Sequence, residues 1–274
     1  MVVAPEHRAD VDAILARRHD NGADLWATPD GRLIKGSPFT TLDCARLLAE
    51  LGLGNDEPVM RDVAALIWST WREDGRFRLA PGAIFPCQTA NAARTLALLG
   101  HGDDPRLAVT FDHLLAIRHG DGGVRCAKFF YGRGPETEFS NPGPTLTALD
   151  AFRFTDRRDE LDGAVEMLLS HWRTKAPLGP CHYGIGTLFL QVTYPFGAYN
   201  LFFWVYVLSF YERARGDERF REAFEVLRAA TRNGEVVVQR PNAKLAALAA
   251  FRRGEPSALA TARYREILAN LGQA

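Results

Sequence analysis

"FDHLLAIRHGDGG", residues 111–123, has a companion one hundred positions earlier, "VDAILARRHDNG" at 11–22. Asp12, Leu15, Ala16, Arg18, His19 and Gly22 recur as Asp112, Leu115, Ala116, Arg118, His119 and Gly122. The unit returns as "VAALIWSTWREDG" (63–75), and more loosely as "LDGAVEMLLSHW" (161–172) and "FREAFEVLRAATRNG" (220–234). Apolar residues stand three and four apart in each copy and a glycine closes most of them, the pattern of an amphipathic helix ended by a left-handed cap. A period near fifty residues predicts an array of helical hairpins, because one such unit cannot bury its apolar stripe alone.

Between these segments runs a second, more apolar set at 40–52, 89–100, 144–154, 199–216 and 243–254, each preceded or opened by a proline: Pro38, Pro86, Pro144, Pro195 and Pro241. Proline suits the first turn of a helix and disrupts its interior, so the five mark helix starts. Links from this set to the next charged helix are short ("GLGNDEP", "GHGDDP", "ARGDE"), whereas the return links are long, as in "GVRCAKFFYGRGPETEFSN" and "KAPLGPCHYGIGTLFLQVT". Short turns on one face and elaborate loops on the other predict hairpins whose function sits on the long-loop face. With "ALATARYREILANL" at the end, the expected fold is all-α: an α/α toroid of five to six hairpins, the apolar helices forming an inner ring and the charged ones an outer ring, in one domain over 1–274. An open solenoid of the same hairpins is the competing architecture.

The 274 residues are 47% apolar, enough for a large core, and 33 basic side chains balance 33 acidic ones. Such a balance argues against a nucleic-acid groove or an anionic membrane surface as partner. The opening "MVVAPEHRADVDA" lacks a basic-then-apolar leader, and the longest apolar run, "LFFWVYVLSFY", is too short to span a bilayer, so a cytoplasmic protein without stable membrane insertion is expected. Four cysteines in that setting are thiols or metal ligands rather than disulfides.

Cys87 opens an apolar helix, Cys126 lies in one long loop and Cys181-His182 in the next, all on the same expected face. Thiolates and an imidazole are the donors that tetrahedral zinc favours, and a helix N-terminus helps to ionise Cys87. The alternative is that these cysteines are small apolar fillers, as is expected of Cys44 in mid-helix. In "YPFGAYNLFFWVYVLSFY", Tyr199, Phe203, Tyr206 and Phe210 share a helical face and Trp204 stands on another, so the helix either panels a cavity with π surface or is simply buried all round. Tyr131, Glu136 and Glu138 of "FFYGRGPETEF" are candidate acid, base or anchoring groups, and Tyr183 of "CHYGIG" a further substrate contact. His19 and His119 recur at equivalent points near helix ends and read as structural; Asp103 and Asp104 sit where a helix cap belongs.

"WREDGRF" and "LLAIRHGDGG" resemble degenerate copies of the aromatic and Asp-Gly-Gly repeats of the terpenoid cyclase and protein prenyltransferase superfamily, over roughly 11–234. The resemblance implies an α/α toroid with an apolar, aromatic-lined cavity that cyclises or transforms an isoprenoid or polyketide-like substrate. Neither the acidic initiating motif nor the Asp-Asp-x-x-Asp motif of the cyclases occurs here. "GPCHYGIG" is similar to the Cys-His element of the lanthionine-forming cyclases, which implies zinc held by Cys126, Cys181, His182 and Cys87 and thiol or thioether chemistry. A non-catalytic repeat scaffold gripping a peptide or protein is the remaining alternative.

Overall fold

The computed structural model describes residues 3–126 and 128–273. The charged repeat copies lie on α1 (Arg8–Leu15), α3 (Pro58–Trp68), α5 (Pro105–Ala116), α7 (Asp162–Thr174) and α11 (Glu218–Ala229). The apolar copies form α2 (Thr41–Glu50), α4 (Pro86–Leu96), α6 (Pro142–Phe152) and α9 (Leu201–Leu208); α8 (Thr187–Leu190) and α10 (Glu212–Arg215) are short, and α12 (Ala258–Asn270) comes last. Strand structure among the described residues is confined to an antiparallel pair, Thr231–Arg232 with Glu235–Val236, and a few isolated bridges.

Burial separates the two sets as the pattern predicts. All eight residues of α9 and nine of the eleven in α6 are buried, whereas α11 buries only Phe220, Ala223, Phe224 and Leu227 along one stripe. Caps follow local chemistry: Thr40, Asp104, Asn200, Asp217 and Ser257 each accept a backbone N–H at a helix start. Asp104 is therefore a cap, as its turn position indicates. α4 packs against α2, α5 and α6, and α9 against α6, α11 and α12, so α4 and α6 each lie between two other apolar helices. The core runs from Val11 to Ile267.

The repeat has a mechanical reason. Gly75 and Gly122 follow Asp74 and Asp121 at positive φ (80° and 86°) and lie against the next charged helix; a Cβ would come within 2.6 Å of the Val109 carbonyl and 2.5 Å of the Gly163 backbone. The polar residue before the glycine then fastens the loop that leads into the next apolar helix. Asn21 Nδ2 donates to the Phe39 carbonyl at 2.8 Å, and Asp121 accepts from the Ser140 N–H and hydroxyl at 2.8 and 2.6 Å. Phe39 and Ser140 each immediately precede an N-cap, so the staple sets where α2 and α6 begin.

The fifth apolar segment departs from expectation. Instead of an α-helix, 243–254 holds two 3₁₀ turns, Ala243–Leu245 and Ala249–Phe251. Its buried side chains Leu245, Leu248 and Phe251 recur every third residue, the 3₁₀ period. In addition, the carboxylate of Asp10 accepts the amides of Ala249 and Ala250 at 2.8 Å, drawing them away from an α ladder. Through that contact, and through the Arg263–Glu50 ion pair at 3.1 Å and the Lys244 Nζ bond to the Ser37 carbonyl, the first and last hairpins touch. No helix among the described residues is long and apolar enough to cross a membrane.

Candidate functional site

A cavity of about 200 Å³ is lined by residues from α2, α4, the end of α6, α9 and the 3₁₀ turn at 243–245, with the 193–198 loop across it. Three arginines and three carboxylates reach it: Arg46, Arg94 and Arg153, with Asp43, Glu50 and Asp150. Arg46 bonds Asp43 at 2.5 Å, the Thr95 hydroxyl at 2.7 Å and the Asn91 amide oxygen at 3.0 Å. Asp150 accepts Arg153 Nε at 2.6 Å and stands 3.3 Å from Arg94 Nε. Glu50 receives the Tyr194 hydroxyl at 2.5 Å and Arg263 at 3.1 Å; the Tyr206 hydroxyl donates to Glu266 at 2.7 Å. Burial, then repulsion from Arg46, lowers the Arg94 guanidinium to about 10. Arg153 goes the other way: its burial is outweighed by Asp150, and its plane lies over Phe154, Tyr206 and Phe210.

This wall corrects the expectation of an apolar, aromatic panel. Tyr206 does line the cavity, beside Phe154 and Phe196. Phe203 lies in the core beneath Arg94, 5.0 Å from the guanidinium, and Trp204 is wholly buried between Trp172 and Phe220. Tyr199 precedes the cap Asn200 and so is not on the helix; its hydroxyl donates to His171 Nδ1 at 2.8 Å, while His171 Nε2 donates to the Ala176 carbonyl. Tyr183 sets its ring edge against Tyr199 at 5.6 Å. Phe203 thus backs the cavity wall from behind Arg94 and Phe196, and Trp204, Tyr199 and Tyr183 belong to aromatic packing that does not line it.

The three loop cysteines come from separate segments into one neighbourhood: Cys126 and Cys87 both raise the Cys181 thiol, and Cys126 raises Cys87. Sγ of Cys126 accepts the Phe129 N–H at 3.5 Å, and Cys181 Sγ faces the Phe129 carbonyl at 3.9 Å. Burial and the neighbouring thiols push Cys87 up to about 11 and Cys181 up to about 12; burial, then Cys181, takes Tyr183 up to about 12. The helix N-terminus therefore does not ionise Cys87, because desolvation outweighs two backbone N–H groups. His182, itself at φ 58°, sets its Nδ1 3.7 Å from Glu136 Oε1. Among the described residues, no three His, Cys, Asp or Glu side chains stand close enough together to hold a metal ion. Cys44 is buried core, as its position suggests.

Glu136 accepts the amides of Arg133 and Gly134 at 3.1 Å, and these backbone bonds hold its carboxyl below the usual range. It closes its own loop and is poorly suited to donate a proton. Glu138 is exposed, and Tyr131 is 71% exposed and stacked on Phe129. His19 and His119 face Asp24 and Asp121 at helix ends.

Sequence reading missed the charged wall, although a signal was present. Leu42-Asp43-x-x-Arg46 and Leu149-Asp150-x-x-Arg153 are the same phrase in two apolar helices, and Arg94 stands alone in a run of Ala, Thr and Leu. Charges repeated inside otherwise buried helices point inward. Compared with known proteins, the chain matches no family model and no curated protein.

Proposed function

We propose that the hairpins close into an α/α toroid and that the chain is an enzyme acting on a small molecule in the central cavity. The observation that carries this reading is that one cavity is lined by every apolar segment and walled by buried, paired ionisable groups. Such clusters in a cleft are where proteins place acid and base chemistry. No cysteine lines the cavity, and its candidate groups are the carboxylates of Asp43, Glu50 and Asp150 and the Tyr206 phenol, so proton transfer of the cyclase or lyase kind fits better than covalent catalysis. The cavity wall is ionisable on one side and apolar along Leu98, Phe154, Phe196 and Leu245 on the other, which suits a small substrate with one polar end.

Gly197 lines the cavity and is exposed, with nothing within 4 Å of an added Cβ. Gly197→Trp should therefore block access without disturbing the fold. Metabolite extracts incubated with wild type should show one depleted compound and one new one, and neither with Gly197→Trp. Identical profiles for both proteins would return the chain to the reading of a helical-repeat scaffold.

A second reading attaches to the thiols, which three separate segments bring into one neighbourhood. In it Cys87, Cys126, Cys181 and His182 would draw in to hold zinc, and the metal would supply a Lewis acid or bind a substrate thiolate. Metal analysis decides it: zinc near one equivalent, lost in Cys181→Ser, supports this reading, and metal-free protein purified in zinc-supplemented medium removes it.

A further inference from the structure

Arg94 is an anomaly among the cavity's charges. Its side chain is only 6% exposed, yet Nε has no hydrogen bond: Asp150 lies 3.3 Å away but out of line. Nη2 finds the Phe196 carbonyl at 3.2 Å, and among the described residues no acceptor bonds Nη1. Arg46 has Asp43 to itself, and Arg153 holds Asp150 at 2.6 Å. Glu50 is engaged by Arg263 and the Tyr194 hydroxyl. Arg46, Arg94, Arg153 and Arg263 face Asp43, Glu50, Asp150 and Glu266, so the cluster balances in charge, yet Arg94 alone of the four has no hydrogen-bonded carboxylate. A buried guanidinium with idle donors is costly unless something completes it.

We propose that Arg94 anchors the carboxylate of a small monoanionic ligand. The planar fork of an arginine matches two carboxylate oxygens, and one such group would give Arg94 the bonded partner it lacks. A polyanion would set more negative charge beside Asp150 than one guanidinium offsets, and the other arginines are already paired. The remainder of the ligand lies along Phe154, Phe196, Leu98 and Leu245, which give the cavity its apolar side. This inference rests on the cavity being the working site, and the test keeps the two apart.

Titration calorimetry with straight-chain and aromatic carboxylates of four to eight carbons, each beside its primary amide, reads the anchor directly; inorganic phosphate and pyrophosphate serve as polyanion controls. Wild type should bind at least one acid at least tenfold more tightly than its amide and bind neither polyanion. Arg94→Lys keeps the charge but not the fork, and should weaken the acid about tenfold; Arg94→Gln should erase the acid preference. Both variants are first checked for an unchanged circular-dichroism spectrum, and Arg94→Lys suffices alone should Arg94→Gln fail to fold. Equal affinity for acid and amide, or unaltered acid binding in Arg94→Lys, overturns the anchor while leaving the cavity as the site. Binding of acids undiminished by Gly197→Trp places them elsewhere and overturns both.

Discussion

Single residues explain why the chain repeats itself. Gly122 occupies a left-handed turn and also touches the backbone of the next charged helix, so two requirements exclude a side chain there. Gly31 shares the conformation (φ 76°) with open space around it. Gly31→Ala should then cost about 1 kcal/mol, the conformational part alone, and Gly122→Ala roughly 3–4 kcal/mol, both read from urea midpoints. Titration adds a second residue-level expectation. Burial lowers the pKa of His171, which is neutral between Tyr199 and Ala176. The unfolded chain therefore takes up a proton near its ordinary pKa of about 6.5 that the folded chain refuses, so stability falls as pH drops through that point. Asp121 behaves alike at lower pH. Burial would raise it, but the Ser140 hydroxyl and amides hold it below the usual carboxylate range, and its contribution is lost as pH falls through that lowered value. Thermal melts should show two acid-side losses, and His171→Gln should remove only the upper one.

At the level of elements, the legible and the illegible divide by whether local pattern and burial agree. The charged helices announced themselves because an amphipathic stripe is written every three to four residues, and α1, α3, α5, α7 and α11 stand where it predicts. The aromatic segment was only half legible: α9 ends at Leu208 and resumes as α10 at Glu212, and an all-apolar stretch carries no phase to say which side faces a cavity. Segment 243–254 was misread because its alanines favour an α-helix locally, while an aspartate 239 positions away claims its amides. Trp204 gives a test of the core role assigned to α9. Its indole N–H is buried without a partner, so Trp204→Phe removes an unsatisfied donor along with some volume. That change should cost less than about 1.5 kcal/mol, against roughly 3–5 kcal/mol for Trp204→Ala, with the order of melting temperatures as the check.

For the whole molecule, the shared neighbourhood of Cys87, Cys126 and Cys181 follows the period of the repeat, which sets the loops of successive hairpins side by side. The cavity's charges were not legible, because Asp43, Arg46, Arg94, Asp150 and Arg153 acquire meaning only once four helices bring them together. The contact of His182 with Glu136 was likewise not legible, because adjacency to Cys181 in sequence says nothing of the left-handed backbone at His182. In the proposed ring the chain closes on itself around the cavity, and that closure would depend on Asp10 holding the amides of Ala249 and Ala250. Amide hydrogen exchange at those two positions is the direct measurement. A closed ring predicts strong protection in the wild type, lost in Asp10→Ala while α4 and α6 remain protected. Rapid exchange of both amides in the wild type, or protection indifferent to Asp10, would contradict it.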